Sequence, residues 1–145
     1  MKKILLIIIA AVVAYGLFLH EGGILSSFVS DEVSKKDRVL QEAYKKQESG
    51  LQVNGKGVVI KKLSDDVDGS RHQRFILKLA SGQTLLIAHN IDLAPRIDEL
   101  MLGDNVEFYG EYEWNSKGGV IHWTHHDPSN KHVVGWLKHG GRKYQ

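Results

Sequence analysis

A chain of 145 residues that is 42% hydrophobic and 25% charged has the make-up of one ordinary globular domain with a short extra segment. Without cysteine it can form no disulfide, thiolate metal site, thiol nucleophile or N-terminal lipoprotein linkage, so histidine and carboxylate are the metal ligands left to it. Two of its 19 basic residues are Lys2 and Lys3, and the remainder balances 17 acidic residues, which disfavours general polyanion binding.

Met1, Lys2 and Lys3 precede an unbroken apolar run from Ile4 to Leu19, closed by His20, Glu21 and Gly22-Gly23. As a helix at ~1.5 Å per residue the run reaches about 24 Å, slightly less than a ~30 Å hydrocarbon core. Residues 1–22 therefore read as an N-terminal hydrophobic helix, a signal anchor; a cleaved signal peptide is the alternative. The anchor is preferred because cleavage after Ala14 leaves Gly16 to Leu19 exposed and no A-x-A follows Leu19. The positive-inside rule then predicts a single inner-membrane pass with the domain in the periplasm, or a secreted periplasmic domain if the segment is cleaved. The cytoplasmic membrane is thus one expected partner, and an unspecified envelope ligand is the other.

Residues 23–50 are polar and charged. Ser30 is placed to cap a helix, and Asp31 and Glu32 suit the positive end of its dipole. Val33, Val39, Leu40, Ala43 and Tyr44 form a narrow apolar stripe beside solvated lysines, the pattern of a helical stalk or linker that packs lightly on the domain.

Residues 51–145 change to a period of two. Val53 to Leu63 reads as a first strand, with Gly55 and Gly57 as expected bulge or bend positions. Asp65 to Ser70 reads as a turn; it lacks the distal glutamate of a calcium loop. In the second strand Phe75, Leu77 and Leu79 alternate with His72, Arg74, Ile76 and Lys78, and Ser81-Gly82 makes a hairpin to a third strand, Gln83 to His89. Pro95, then Ile97, Leu100 and Met101 at helical spacing, then Gly103, predict a short helix. Asn105 to Trp114 alternates again, with Val106, Phe108, Tyr112 and Trp114 opposing Glu107, Tyr109, Glu111 and Glu113. Val120 to Thr124 reads as a fifth strand. The chain is therefore mainly β, in the order of an OB-fold-like, five-stranded Greek-key barrel with a short helix between strands three and four.

The segments RHQRFILKLASGQTLLIAHNIDLAPRI (Arg71 to Ile97), GDNVEFYGEYEWN (Gly103 to Asn115) and GGVIHWTHHDP (Gly118 to Pro128) resemble an uncharacterised proteobacterial family of small exported proteins, a domain of unknown function. The resemblance spans roughly residues 50 to 145. It implies export and an OB-like barrel, and it carries no known activity.

Gly118 to Gln145 holds five of the eight histidines and forms a histidine-rich tail. On a strand from Val120 to Thr124, His122 shares a face with Val120 and Thr124 while Ile121 and Trp123 point the other way. His125, His126 and Asp127, at the strand end, with His132 returning from the tail, are the expected ligand set for zinc or another divalent transition metal. No known metalloenzyme motif has this spacing. The competing expectation is a structural cluster of hydrogen-bonding imidazoles, with Trp123 and Trp136 packing the tail over the barrel mouth. His72, Arg74, Lys78 and Tyr109 mark the face on which such barrels bind oligonucleotides or oligosaccharides, but the glutamates of strand four oppose nucleic acid.

The preferred reading is a membrane-tethered, periplasm-facing OB-type binding module with a histidine-rich metal or anion site. Two alternatives stand beside it. One is a metal-dependent, phosphodiesterase-like or nuclease-like hydrolase using His122 as base and Arg71 or Arg74 to stabilise developing negative charge; the other is oligonucleotide or oligosaccharide binding on the barrel face. An enzymatic role is disfavoured because no pair of carboxylates stands in sequence beside the cluster. The topology is tested by fusing a compartment-sensitive reporter after Gln145: activity outside the cytoplasm is expected, and cytoplasmic activity overturns the orientation.

Overall fold

The computed structural model describes Asp31 and residues 35–145. The N-terminal hydrophobic helix expected over residues 1–22 and the cap at Ser30 lie outside the described residues. Among the described residues no helix is long and apolar enough to cross a membrane.

Among the described residues seven strands follow one helix, α1, which covers residues 35–46. They are β1 (Leu51–Lys62), β2 (His72–Leu79), β3 (Thr84–Asn90), β4 (Asn105–Glu113), β5 (Val120–His122), β6 (Trp136–His139) and β7 (Arg142–Tyr144). The first five close into a barrel in the order β1-β2-β3-β5-β4, with β4 returning to β1. Every neighbouring pair is antiparallel except β3 with β5, which is parallel and short, joining Leu86 to Val120 and Ile87 to Ile121.

Closure depends on β1 serving two neighbours. Its first part, Leu51 to Val58, pairs with β4, and from Gly57 onward it pairs with β2. The bend was expected at Gly55 and Gly57. The ladder irregularity instead falls between Val59 and Lys61, where Ile60 is the extra residue. Gly57 stands where the two ladders overlap, and a Cβ there would lie 3.0 Å from both the Leu77 Cβ and the Lys78 carbonyl oxygen.

The alternation read in the sequence sets the inside and the outside. On β2, Gln73, Phe75, Leu77 and Leu79 are buried; on β4, Val106, Phe108, Gly110 and Tyr112 are buried while Glu107, Tyr109, Glu111 and Glu113 are not. Leu85, Ile87, Ile121 and Leu137 join them in one continuous core.

Helix α1 is more than the lightly packed stalk that its composition suggests. Leu40 and Ala43 are fully part of the core, and Asp37 on the same face accepts the Ser81 backbone N–H at 2.7 Å. Tyr44 stacks on Trp114, whose indole N–H donates to the Tyr44 carbonyl. The helix thus seals the barrel end that carries the β2–β3 and β4–β5 hairpins.

The helix expected between strands three and four does not form; residues 91–104 are turns. Key backbone groups of this stretch go to side chains instead. Gln73, buried on β2, donates to the Ile97 carbonyl at 2.8 Å and accepts the Ile97 N–H at 2.9 Å, and the Asp104 carboxylate takes the Met101 N–H at 2.8 Å. Ile97 and Leu100 are buried as the spacing predicts, but by turn packing, and Met101 is left exposed.

Two strands were not foreseen. The tail expected as a loose histidine-rich segment ends as the β6–β7 hairpin, with β6 paired to Val106–Tyr109 of β4. Phe108→Ala is expected to destabilise the domain by about 3 to 5 kcal/mol, the cost of removing a packed core aromatic. Glu107→Ala, which loses only an exposed pair with Lys138, is expected to cost under ~1 kcal/mol. Urea unfolding of the two variants measures both, and equal losses would mean that the faces of β4 are reversed.

Candidate metal centre

The alternation that buries Val106, Phe108 and Tyr112 turns Glu111 and Glu113 outward on β4, and the β4–β5 ladder sets His122 directly opposite Glu111. The approach of the two strands requires Gly110: a Cβ there would strike the His122 carbonyl oxygen. Glu111, Glu113 and His122 each present a donor atom within 4.8 Å of the other two. His122 Nε2 lies 3.7 Å from Oε1 of Glu111 and 3.9 Å from Oε1 of Glu113. Those distances are too long for hydrogen bonds, and Nε2, closed off from solvent, has no hydrogen-bond partner. Donors held ~2.1 Å from one zinc ion stand about 3.4 Å apart in a tetrahedron. The two His122 contacts therefore need to shorten by only about 0.3 to 0.5 Å to share an ion.

Burial pushes the His122 imidazole below its ordinary pKa, against the pull of Glu111 and Glu113, and His132 and His72 add to the depression. The ring is thereby held neutral, the form that ligates metal.

Trp123 departs from the strand expected over Val120–Thr124. β5 ends at His122, and Trp123 adopts φ +50°, which breaks the alternation. Its ring stacks on His132 of the tail at 3.6 Å between centroids, with planes 12° apart. Thr124 is instead fully buried, and its hydroxyl donates to Nδ1 of His89 at 2.8 Å.

The four residues expected to be metal ligands are not gathered into one group. Asp127 has both carboxylate oxygens engaged by the Ser129, Lys131 and His132 backbone N–H groups and the Ser129 hydroxyl. These donors hold it far below the usual carboxylate range, the Ser129 N–H foremost. His125 is buried and donates from Nδ1 to the His126 carbonyl at 2.9 Å, and His126 is exposed. Of the four, His132 alone approaches the Glu111 group: its Nδ1 lies 3.6 Å from Oε2 of Glu111.

The other candidates are dispersed. Arg71 is paired with Asp92 at 2.7 Å and Arg74 with Asp66 at 3.4 Å. His72 donates to the Ser70 carbonyl. Lys78, at the far end of β2 from His72, borders a cleft of about 400 Å³ with Lys56, Val58 and Ile60, and Tyr109 lies against Trp136. A larger cleft, about 520 Å³, lies between Tyr44, Gln83 and Lys117. Glu111, Glu113 and His122 border neither. His139 Nε2 is hydrogen-bonded to Oδ2 of Asp104 at 2.7 Å. The two glutamates were visible in the sequence as an outward series on strand four. Pairing them with His122 needed the strand register, which no single sequence supplies.

The model of one protein family matches residues 23–145 of the chain. The chain belongs to the family described as "Protein of unknown function (DUF3465)". A comparison with curated proteins finds no match. The family model takes in α1 together with the barrel and the β6–β7 hairpin, so the candidate centre lies wholly inside the DUF3465 region.

His89, fully buried between Thr124 and the Pro95 carbonyl, is pushed down to about 4, chiefly by burial. A histidine whose folded pKa lies below its unfolded value binds fewer protons when folded. Stability is then full above about 6.5 and is lost as pH falls toward 4, by about 3 kcal/mol in all. Asp127 acts in the same direction, but only once pH falls through the unfolded carboxylate range near 3.8. Urea unfolding at pH 7.5 and 4.5 is expected to show the loss in the native protein and a much smaller one in His89→Gln. Equal pH slopes would refute the assignment.

Proposed function

We propose that this DUF3465 protein is a membrane-tethered, periplasm-facing binding module of OB type that holds a divalent transition metal ion on its outer face at Glu111, Glu113 and His122. The observation that carries the reading is the solvent-shielded Nε2 of His122, without a hydrogen-bond partner, between two carboxylate oxygens. One imidazole and two carboxylates make a donor set that suits zinc and its first-row neighbours.

The barrel order β1-β2-β3-β5-β4, closed by β1–β4 and by a parallel β3–β5 pair, supports the OB assignment. The tether and the periplasmic location rest on Lys2, Lys3 and the apolar run after them. Binding is preferred over hydrolysis because Arg71 and Arg74, the candidate stabilisers of developing charge, are engaged by Asp92 and Asp66. Binding is also preferred over nucleic-acid recognition, since Glu111 and Glu113 present negative charge on the face a polyanion would use.

Zinc titration of the metal-stripped domain by calorimetry tests the reading. One ion is expected to bind at pH 7.5. Affinity is expected to fall on acidification, at a lower pH than for an ordinary imidazole ligand, because the depressed His122 pKa postpones protonation. His122→Ala and Glu111→Gln are each expected to weaken binding at least tenfold, whereas a His125→Ala/His126→Ala double variant retains it. Undiminished binding by His122→Ala would place the ion elsewhere.

A further inference from the structure

We propose that the tail loop from Asp127 to His132 is a strap whose docking and the metal ion stabilise one another through the Glu111 carboxylate, with His132 as the positioning residue. The inference rests on the reading of Glu111, Glu113 and His122 as a metal site.

The strap is internally ordered but lightly held. Asp127 gathers the Ser129, Lys131 and His132 N–H groups, and the Gly135 N–H closes the base of the loop on the His125 carbonyl at 3.1 Å. Residues 128–134 are nevertheless all exposed, Val133 and Val134 included, so little apolar burial fastens the loop to the barrel. The described contacts from its far end are those of the His132 ring, stacked on Trp123 and directed by Nδ1 at Oε2 of Glu111.

Glu111 therefore has two addresses. Oε1 faces His122 and the proposed ion, while Oε2 faces the strap. An ion on Oε1 fixes the carboxylate plane and presents Oε2 to the His132 N–H; a docked strap does the converse, holding Oε1 toward the ion. Such coupling is reciprocal: the factor by which docking tightens metal binding is the factor by which metal favours docking. Partners that orient a ligating carboxylate are typically worth about 10- to 100-fold in metal affinity. Trp123, held at φ +50° where β5 ends, is the platform that sets the ring at this distance.

The test combines zinc calorimetry with amide hydrogen exchange at Ser129, Lys131 and His132, on the native domain, His132→Ala and His132→Gln. In the native domain, zinc is expected to slow exchange in the strap by about tenfold or more. His132→Ala is expected to bind zinc roughly 10- to 100-fold more weakly and to show no slowing. His132→Gln, which keeps an N–H donor, recovers part of both. The loss of affinity and the slowing should agree in size. Zinc binding to His132→Ala with native affinity, or strap exchange in the native domain unmoved by zinc, overturns the strap and leaves the metal site standing. No zinc binding by the native domain overturns the metal site and the strap with it.

Discussion

Strand β4 has two edges and three partners, and the rest of the structure depends on how the second edge is divided. One edge is taken by β1 from Leu51 to Val58. The other gives Glu111 to Glu113 to β5 and Val106 to Tyr109 to β6, with Gly110 at the seam. Two strands on one edge must be joined by a chain that leaves after the first and re-enters before the second. Residues 123–135 are that excursion. Its ends are tight: Trp123 turns out of β5 at φ +50°, and Gly135 returns so close that a Cβ would meet the carbonyl oxygens of Trp123 and Tyr109. The candidate site, its aromatic platform and the strap all lie along this seam because the seam is where the barrel wall changes partner.

The electrostatics at the seam run against a purely structural role. Glu111 and Glu113 bring two carboxylate oxygens within 4.8 Å of one another, a like-charge approach that an opposite charge between them relieves. A protonated His122 would relieve that repulsion, but burial favours the neutral ring. The fold thus places two carboxylates beside an imidazole whose burial disfavours the charged form. A divalent ion reverses the sign of the balance, since it attracts both carboxylates and accepts the lone pair of the neutral imidazole without requiring protonation.

Much of the barrel was legible in the sequence, because a period of two on strands flanked by turn residues is a local signal. The inner and outer faces of β2 and β4 follow it residue by residue. The helix between strands three and four was misread for a reason that lies at a distance: Gln73, on another strand, captures both backbone groups of Ile97 and makes a turn satisfy what a helix would have satisfied. The role of α1 was underestimated likewise, since the burial of Leu40 and Ala43 depends on a barrel end that no local pattern describes. In the site, His122 and His132 stand out in the sequence as chemistry-bearing residues, while Glu111 and Glu113 read there as a solvated, polyanion-repelling row. Spacing along the chain cannot bring residue 111 to residue 122; the ladder does.

The count of histidines in the tail was therefore a poor guide to chemistry and a good guide to place. Burial assigns the imidazoles different tasks. His89 inside the barrel and His125 beneath the strap have ring nitrogens bonded to Thr124, Pro95 and the His126 carbonyl, and His139 pairs with Asp104 to tie β6 to the start of β4. The carboxylate among the expected ligands, Asp127, organises backbone and has no oxygen left uncommitted. What separates His122 from its neighbours is an unfilled requirement: a buried ring nitrogen without a bond. A cluster of like residues locates a region of the fold, whereas an unsatisfied buried nitrogen between two carboxylates is what singles out one residue within it as the candidate ligand.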